Sequence, residues 1–159
     1  MAMTMNGQVQ LLASGDVVWA KLNDPEVLKR CIPGCEQFDR TAENEFQAIA
    51  TVKVGPVKAR WKGKVRLSDL NPPISYRISG EGDGGVAGFA KGGAKVSLSG
   101  KDGGTLLTYD VEAQIGGKLA QLGQRLINSA AKKTADDFFE KIAAAVAAAV
   151  PPSEMSPVP

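Results

Sequence analysis

The sequence predicts an α+β domain in which a curved antiparallel sheet of about seven strands wraps around a long C-terminal helix, with two short helices after the first strand. Three observations carry this. Apolar and polar residues alternate with period two along most of the chain between Met5 and Ile115, the pattern of half-buried strands. From about Lys118 to Val150 the apolar repeat changes to three- and four-residue steps, as on one face of a helix. The strands are grouped rather than interleaved with helices, which argues for antiparallel pairing. A chain of 159 residues suits one domain. We expect that domain over residues 1–150, followed by a short Pro-rich disordered tail over 151–159.

The elements follow in order. Met5, Gly7, Val9 and Leu11 alternate with Asn6, Gln8 and Gln10 and make the first strand. Ser14 can cap a first helix running to Leu22. Asp24-Pro25 restarts the chain as a second helix to about Arg30, because proline at the first helical position forfeits only an N–H that would be unpaired anyway. Pro33-Gly34 ends it in a turn. Phe46 to Val54 and Val57 to Leu67 flank the tight Gly55-Pro56 connection, and the second of these has one apolar face and one strongly basic face. Asn71-Pro72-Pro73 interrupts the sheet before Ile74, Tyr76 and Ile78. Gly80 to Gly93 holds seven glycines and predicts a wide turn with a bulged strand start. Ala94, Val96 and Leu98 resume the alternation, Lys101-Asp102-Gly103-Gly104 makes a hairpin turn, and Leu107 to Ile115 form the last strand. Gly116-Gly117 then releases the long helix, whose apolar face includes Leu119, Leu122, Leu126 and Phe138. Gly123 is expected inside it, leaving room for a ligand or a close strand.

A helix of about 30 residues, near 45 Å at its usual rise, can cross an entire curved sheet. A sheet bent around it tends to leave a gap lined by apolar side chains, the usual character of a small-molecule pocket. Trp61, Tyr76, Phe89 and Tyr109 are read as the sheet side of such a cavity, where flat rings can stack and tyrosine hydroxyls can hydrogen-bond. Leu119, Leu122, Leu126 and Phe138 are read as the helix side. The same positions also suit ordinary core, so the open question is how full that face is. Trp19 is assigned to packing the first helix on the sheet.

Composition narrows the chemistry. Histidine is absent, which removes the side chain that titrates near neutral pH together with Ser-His-Asp, Cys-His and His-ligated zinc arrangements. No covalent cofactor or metal site is expected. Cys31 and Cys35 are spaced C-x3-C, not as a redox C-x-x-C, and are read as two reduced thiols near a turn, with a disulfide or redox switch as the alternative. The acidic residues Asp110 and Glu112 fall on the outward parity of the last strand, poorly placed as an acid–base pair. The glycine-rich segment lacks a phosphate-loop pattern; a lid over the cavity mouth is the reading kept for it. Net charge is +2, which does not call for nucleic acid. The outward cations Lys58, Arg60, Lys62, Lys64 and Arg66 form either a solvated outer face that deters edge aggregation or a surface for anionic lipid or an acidic partner. The first ten residues lack a basic stretch followed by an apolar run, and no stretch of about 18 apolar residues exists. A cytoplasmic protein, at most peripheral on the inner face of the cell membrane, is expected.

Several phrases go further. Leu22-Asn23-Asp24-Pro25 after Val18-Trp19, Cys31-Ile32-Pro33-Gly34-Cys35, Val54-Gly55-Pro56-Val57, Gly88-Phe89-Ala90-Lys91-Gly92, Thr108-Tyr109 and Gly116-Gly117-Lys118-Leu119-Ala120 together resemble the CoxG family of carbon monoxide dehydrogenase subunits, within the START-like, polyketide-cyclase-like superfamily. The resemblance covers about residues 3 to 142. It implies a helix-grip fold with a central hydrophobic cavity. It also implies an accessory role beside molybdenum-containing carbon monoxide dehydrogenases and related hydroxylases, attachment of that enzyme to the cytoplasmic membrane, and a quinone or lipid in the cavity. The resulting expectation is a non-enzymatic accessory protein. A protein-only assembly factor for the dehydrogenase is the alternative, and a small cyclase- or hydratase-like enzyme the second.

Overall fold

The computed structural model describes residues 1–149. Seven strands form one antiparallel sheet in the order β1-β7-β6-β5-β4-β3-β2. β1 (Ala2–Leu11) leads into α1 (Gly15–Leu22) and α2 (Pro25–Cys31); β2 (Cys35–Ala42), β3 (Glu45–Val54), β4 (Val57–Asn71), β5 (Ser75–Asp83), β6 (Phe89–Lys101) and β7 (Gly104–Gly116) follow, and α3 (Gln124–Ala149) closes the chain. Short 3-10 turns stand at Gly85–Ala87 and Ala120–Leu122. The expected disordered tail lies outside the described residues.

Local chemistry sets the helix starts. The Ser14 hydroxyl accepts from the Val17 N–H at 3.4 Å, and the Asp24 carboxylate accepts from Glu26 N–H at 3.0 Å with Pro25 in the first turn. Such caps satisfy donors that the helix itself leaves unpaired. Asp102 and Gly103 turn the β6–β7 hairpin with φ of 52° and 79°, the left-handed pair a two-residue hairpin needs.

The period-two pattern fixes which face each strand buries. Met3, Val9 and Leu11 of β1, Phe46 and Val54 of β3, and Leu107 and Ile115 of β7 turn inward. Most of the buried side chains fall into two clusters. One joins Leu11, Val18, Leu107, Ile142 and Val146 beneath the short helices. The other joins Met3, Val54, Ile115 and Ile127.

Three expectations are corrected. β2 has no assigned place in the alternation, yet it is a full edge strand. Only its Phe38 is buried, so it carries almost no apolar signal. The glycine-rich segment is mostly paired strand: Gly80 opposes Gly92 and Ser79 opposes Gly93 without a bulge, and the connection is confined to residues 84–88. The long helix begins at Gln124, not Lys118. Gly123 sits ahead of it at φ +93°, a conformation that breaks a helix and that side-chain-bearing residues resist.

Candidate ligand cavity

Between the two core clusters the sheet and α3 do not meet. A cavity of about 560 Å³ remains. Its walls come from both clusters: Tyr76, Val96 and Leu107 from one, Met3, Ile115 and Ile127 from the other. The helix side is Ala130, Ala131, Thr134 and Ala135, flanked by Phe138 and Phe139. Small residues there keep the helix close to the sheet without filling the gap. Ile32, Pro33 and Phe38, from the α2–β2 connection and β2, line the side under the short helices.

The lining contains no charged residue. Its hydroxyls are those of Tyr76, Tyr109 and Thr134. Thr134 donates to the Ala130 carbonyl at 2.9 Å along its own helix. Tyr76 is 3% exposed and its ring meets Trp19 edge-on at 5.0 Å. Its hydroxyl forms no hydrogen bond with the described residues. No fully buried side-chain polar atom among them lacks a partner, so that hydroxyl keeps some accessible surface on a residue that lines the cavity. Burial pushes the Tyr76 phenol well above its ordinary value, because the low-dielectric surroundings disfavour the charged form. It therefore stays a protonated donor at neutral pH.

Tyr109 closes one side. Its ring lies over Gly7 of β1, where a Cβ would collide with it, and stacks on Phe139. Phe138 meets Phe139 edge-on at 5.1 Å. Behind this stack is a second, more polar cleft of about 630 Å³ between β1 and α3, lined by Asn6, Gln8, Asn128 and Lys132 and sharing Met3, Met5, Tyr109, Ala131 and Phe139 with the cavity. Two larger grooves lie on the outer sheet face, where charged side chains line them.

Of the residues expected to face a ligand, Tyr76, Tyr109, Leu119 and Phe138 line the cavity. The other four do not. Trp61 has the inward parity, but its ring packs on Gly84 of the β5–β6 connection. Phe89 is 56% exposed, because Ala90, Ala94 and Val96 hold the inward phase of β6 and Phe89 is out of step with them. Leu122 joins the second core cluster without reaching the cavity, and Leu126 lies against Gly55 on the outer side of α3. Ala130, Thr134 and Phe138, at four-residue steps from Leu126, do line the cavity, and the inward face is wide enough to take in Ile127, Ala131, Ala135 and Phe139 beside them, which leaves Leu126 at its edge.

The basic row of β4 does face outward, with carboxylates across from most of it. Arg60 pairs with Glu36 at 2.9 Å and Arg66 with Glu45 at 2.8 Å. Lys62 stands opposite Asp83 and Lys64 opposite Glu81. Lys58 alone opposes another cation, Lys53. Asp110 and Glu112 are exposed on the outer face as expected. Trp19 packs α1 on the sheet through Tyr76. No helix among the described residues is long and apolar enough to cross a membrane.

Comparison with known proteins agrees with this architecture. The family model for CoxG, a subunit of carbon monoxide dehydrogenase, matches residues 7–147. A conserved protein of known crystal structure from Geobacillus kaustophilus is 34% identical, over 91% of this chain and 95% of that one, with a TM-score of 0.86. A START superfamily protein from Mycobacterium smegmatis superposes with a TM-score of 0.71 at 13% identity, covering 92% of this chain and 99% of that one. The Zhui aromatase/cyclase from Streptomyces sp. R1128 gives 0.71 at 11% identity, covering 96% and 98%. At such identities these two likenesses establish the START-like fold and nothing finer. The curated proteins give no match.

Proposed function

Because the chain belongs to the CoxG family of carbon monoxide dehydrogenase subunits, we propose that it is a non-enzymatic accessory protein whose cavity holds a hydrophobic ligand, a quinone or other isoprenoid lipid. In this reading it associates a carbon monoxide dehydrogenase-type molybdenum hydroxylase with the cytoplasmic membrane and its quinone pool. It works as a peripheral protein of the inner membrane face.

The observation that carries the ligand part is the cavity itself. An apolar space of about 560 Å³ falls within the range of small-molecule sites, roughly 300–1,000 Å³. A flat ring can lie along Phe138, Phe139 and Tyr109. A carbonyl on that ring can accept the hydrogen bond that the Tyr76 hydroxyl does not give to the described residues. An isoprenoid tail fits the aliphatic walls. The lining offers no carboxylate, lysine or thiolate to move a proton or attack a bond, which supports binding over turnover. The dehydrogenase and the membrane enter through the family.

Mass spectrometry of lipids extracted from protein purified from a quinone-producing host tests this. Enriched quinone, and a melting temperature raised by added quinone, are the expected results. Absence of both removes the ligand claim. Loss of dehydrogenase maturation on deletion, with no ligand effect, would instead favour the protein-only assembly factor.

A further inference from the structure

The antiparallel topology gathers four connections at one end of the molecule: α2–β2 at residues 32–34, which carry no ionisable side chain, and three that pack together, β3–β4 at Gly55-Pro56, β5–β6 at residues 84–88, and β7–α3 at residues 117–123. These three brace one another. Trp61 packs on Gly84, Leu126 packs on Gly55, and the Leu119 N–H donates to the Ala87 carbonyl at 2.9 Å. Val86, 84% exposed, projects from the β5–β6 connection, and Phe89, 56% exposed, opens β6 beside it with its ring across Gly116 of β7 on the outer face. The opposite end also exposes apolar side chains, Leu12, Leu70 and Ile74, so it is charge that distinguishes the two.

Charge is sorted between the two ends. Across residues 53–58, 83–89 and 117–126 the ionisable side chains are Lys53, Lys58, Lys118, Arg125 and one carboxylate, Asp83. All four cations are exposed, and none is in an ion pair among the described residues. The connections at the opposite end, residues 12–16, 43–44, 69–74 and 101–104, carry Asp16, Glu43, Asp69 and Asp102 against Lys101. Arg40 reaches that end as well, through the Glu43 carbonyl. The molecule is thus electrostatically polar along its strands, and an anionic surface would orient it with the Val86–Phe89 end inward.

We infer that this basic, apolar-tipped end is the face that rests on an anionic lipid bilayer. Val86 and Phe89 enter the interface, and Lys53, Lys58, Lys118 and Arg125 meet lipid phosphates. The inference rests on the membrane part of the proposed function and moves the contact away from the β4 row, whose cations mostly face carboxylates. It also gives the contact a use. Val54, Ile115 and Leu119 belong to or adjoin the same connections and line the cavity, so a docked molecule presents that end of the cavity to the bilayer.

Co-sedimentation of the full chain with vesicles of phosphatidylglycerol and phosphatidylcholine in equal parts tests the assignment. Binding by the wild type should weaken with salt. Lys53→Glu with Lys58→Glu should lower affinity about 25-fold or more, from roughly fivefold for each cation removed. Val86→Asp with Phe89→Asp should abolish binding, and the milder Val86→Ser with Phe89→Ser should reduce it without altering the melt. Leu12→Asp with Ile74→Asp, at the opposite end, should change nothing. Loop-end variants that bind as the wild type does overturn the assignment and leave membrane association standing. A wild type with no affinity for these vesicles overturns both, while the quinone-dependent thermal shift, read without vesicles, judges the cavity separately.

Discussion

The ring of Tyr109 on β7 stacks on the ring of Phe139 on α3, with centroids 4.9 Å apart and planes inclined by 22°. These two side chains stand where the apolar cavity adjoins the polar cleft between β1 and α3. The stack joins sheet to helix across a region where the sheet otherwise stands clear of it.

Phe139→Ala should connect the two spaces. Truncating a half-buried aromatic here should cost about 2–3 kcal/mol, below the range for fully buried phenylalanine. Urea unfolding gives that value. Stopped-flow release of a fluorescent apolar probe should be faster than from the wild type. An unchanged release rate would show that the stack does not gate the cavity.

Filling the cavity should separate binding from stability. Ala94→Leu and Ala130→Leu each point bulk into the space between sheet and helix. Cavity filling commonly adds about 0.5–2 kcal/mol of stability. The melting temperature should hold or rise while the shift induced by quinone disappears. A preserved shift in both variants would place the ligand elsewhere.

Tyr76 should give the protein an alkaline limit. Its phenol is raised by burial, so the folded state holds a proton that the unfolded chain releases near the ordinary tyrosine value of about 10. The stabilisation is fully present below that pH and falls as pH rises above it, because the unfolded state then binds fewer protons. Tyr76→Phe should flatten this decline between about pH 9.5 and 11 in chemical denaturation, and should weaken quinone binding by roughly three- to tenfold for one lost hydrogen bond.

The two cysteines should be unreactive. Burial is the main cause that raises both thiols, opposed at Cys31 by the nearby charges of Arg30 and Lys141. Both are free and mostly protonated at neutral pH, where the thiolate is the reactive form. Intact mass after non-reducing purification should show two free thiols. Iodoacetamide should label partly exposed Cys35 slowly and buried Cys31 only on unfolding. A 31–35 disulfide would contradict this.

The sequence revealed inward faces where alternation was strict. Leu107, Tyr109, Val111, Ala113 and Ile115 all line or back the cavity as their phase predicts. Phe89 was misread by residue type: its aromatic character outweighed a parity that Ala90 and Ala94 already opposed. β2 was hidden because an edge strand with one buried residue, Phe38, has no alternation to read. On α3 the error lay at its start. The helix starts only after Gly123, at φ +93°; Ala130, Thr134 and Phe138 line the cavity on the phase continued from Leu126, but in the first turn Ile127 is the buried residue and Leu126 is exposed. The polarity between the two ends depends on which turns share an end, which strand order supplies and composition does not.

The alanine stretch of α3 has a mechanical consequence. Ile127 fixes the helix in one cluster, Ile142 and Val146 fix it in the other, and Ala130, Ala131, Thr134 and Ala135 span the void between them. The opposite wall is a laddered sheet that cannot spread without breaking hydrogen bonds. The helix is a beam held at both ends, and its middle is the compliant wall. On the proposed ligand reading, guests of different girth would be accommodated by bowing that beam, while guests of different length would be limited by the distance between its two supports.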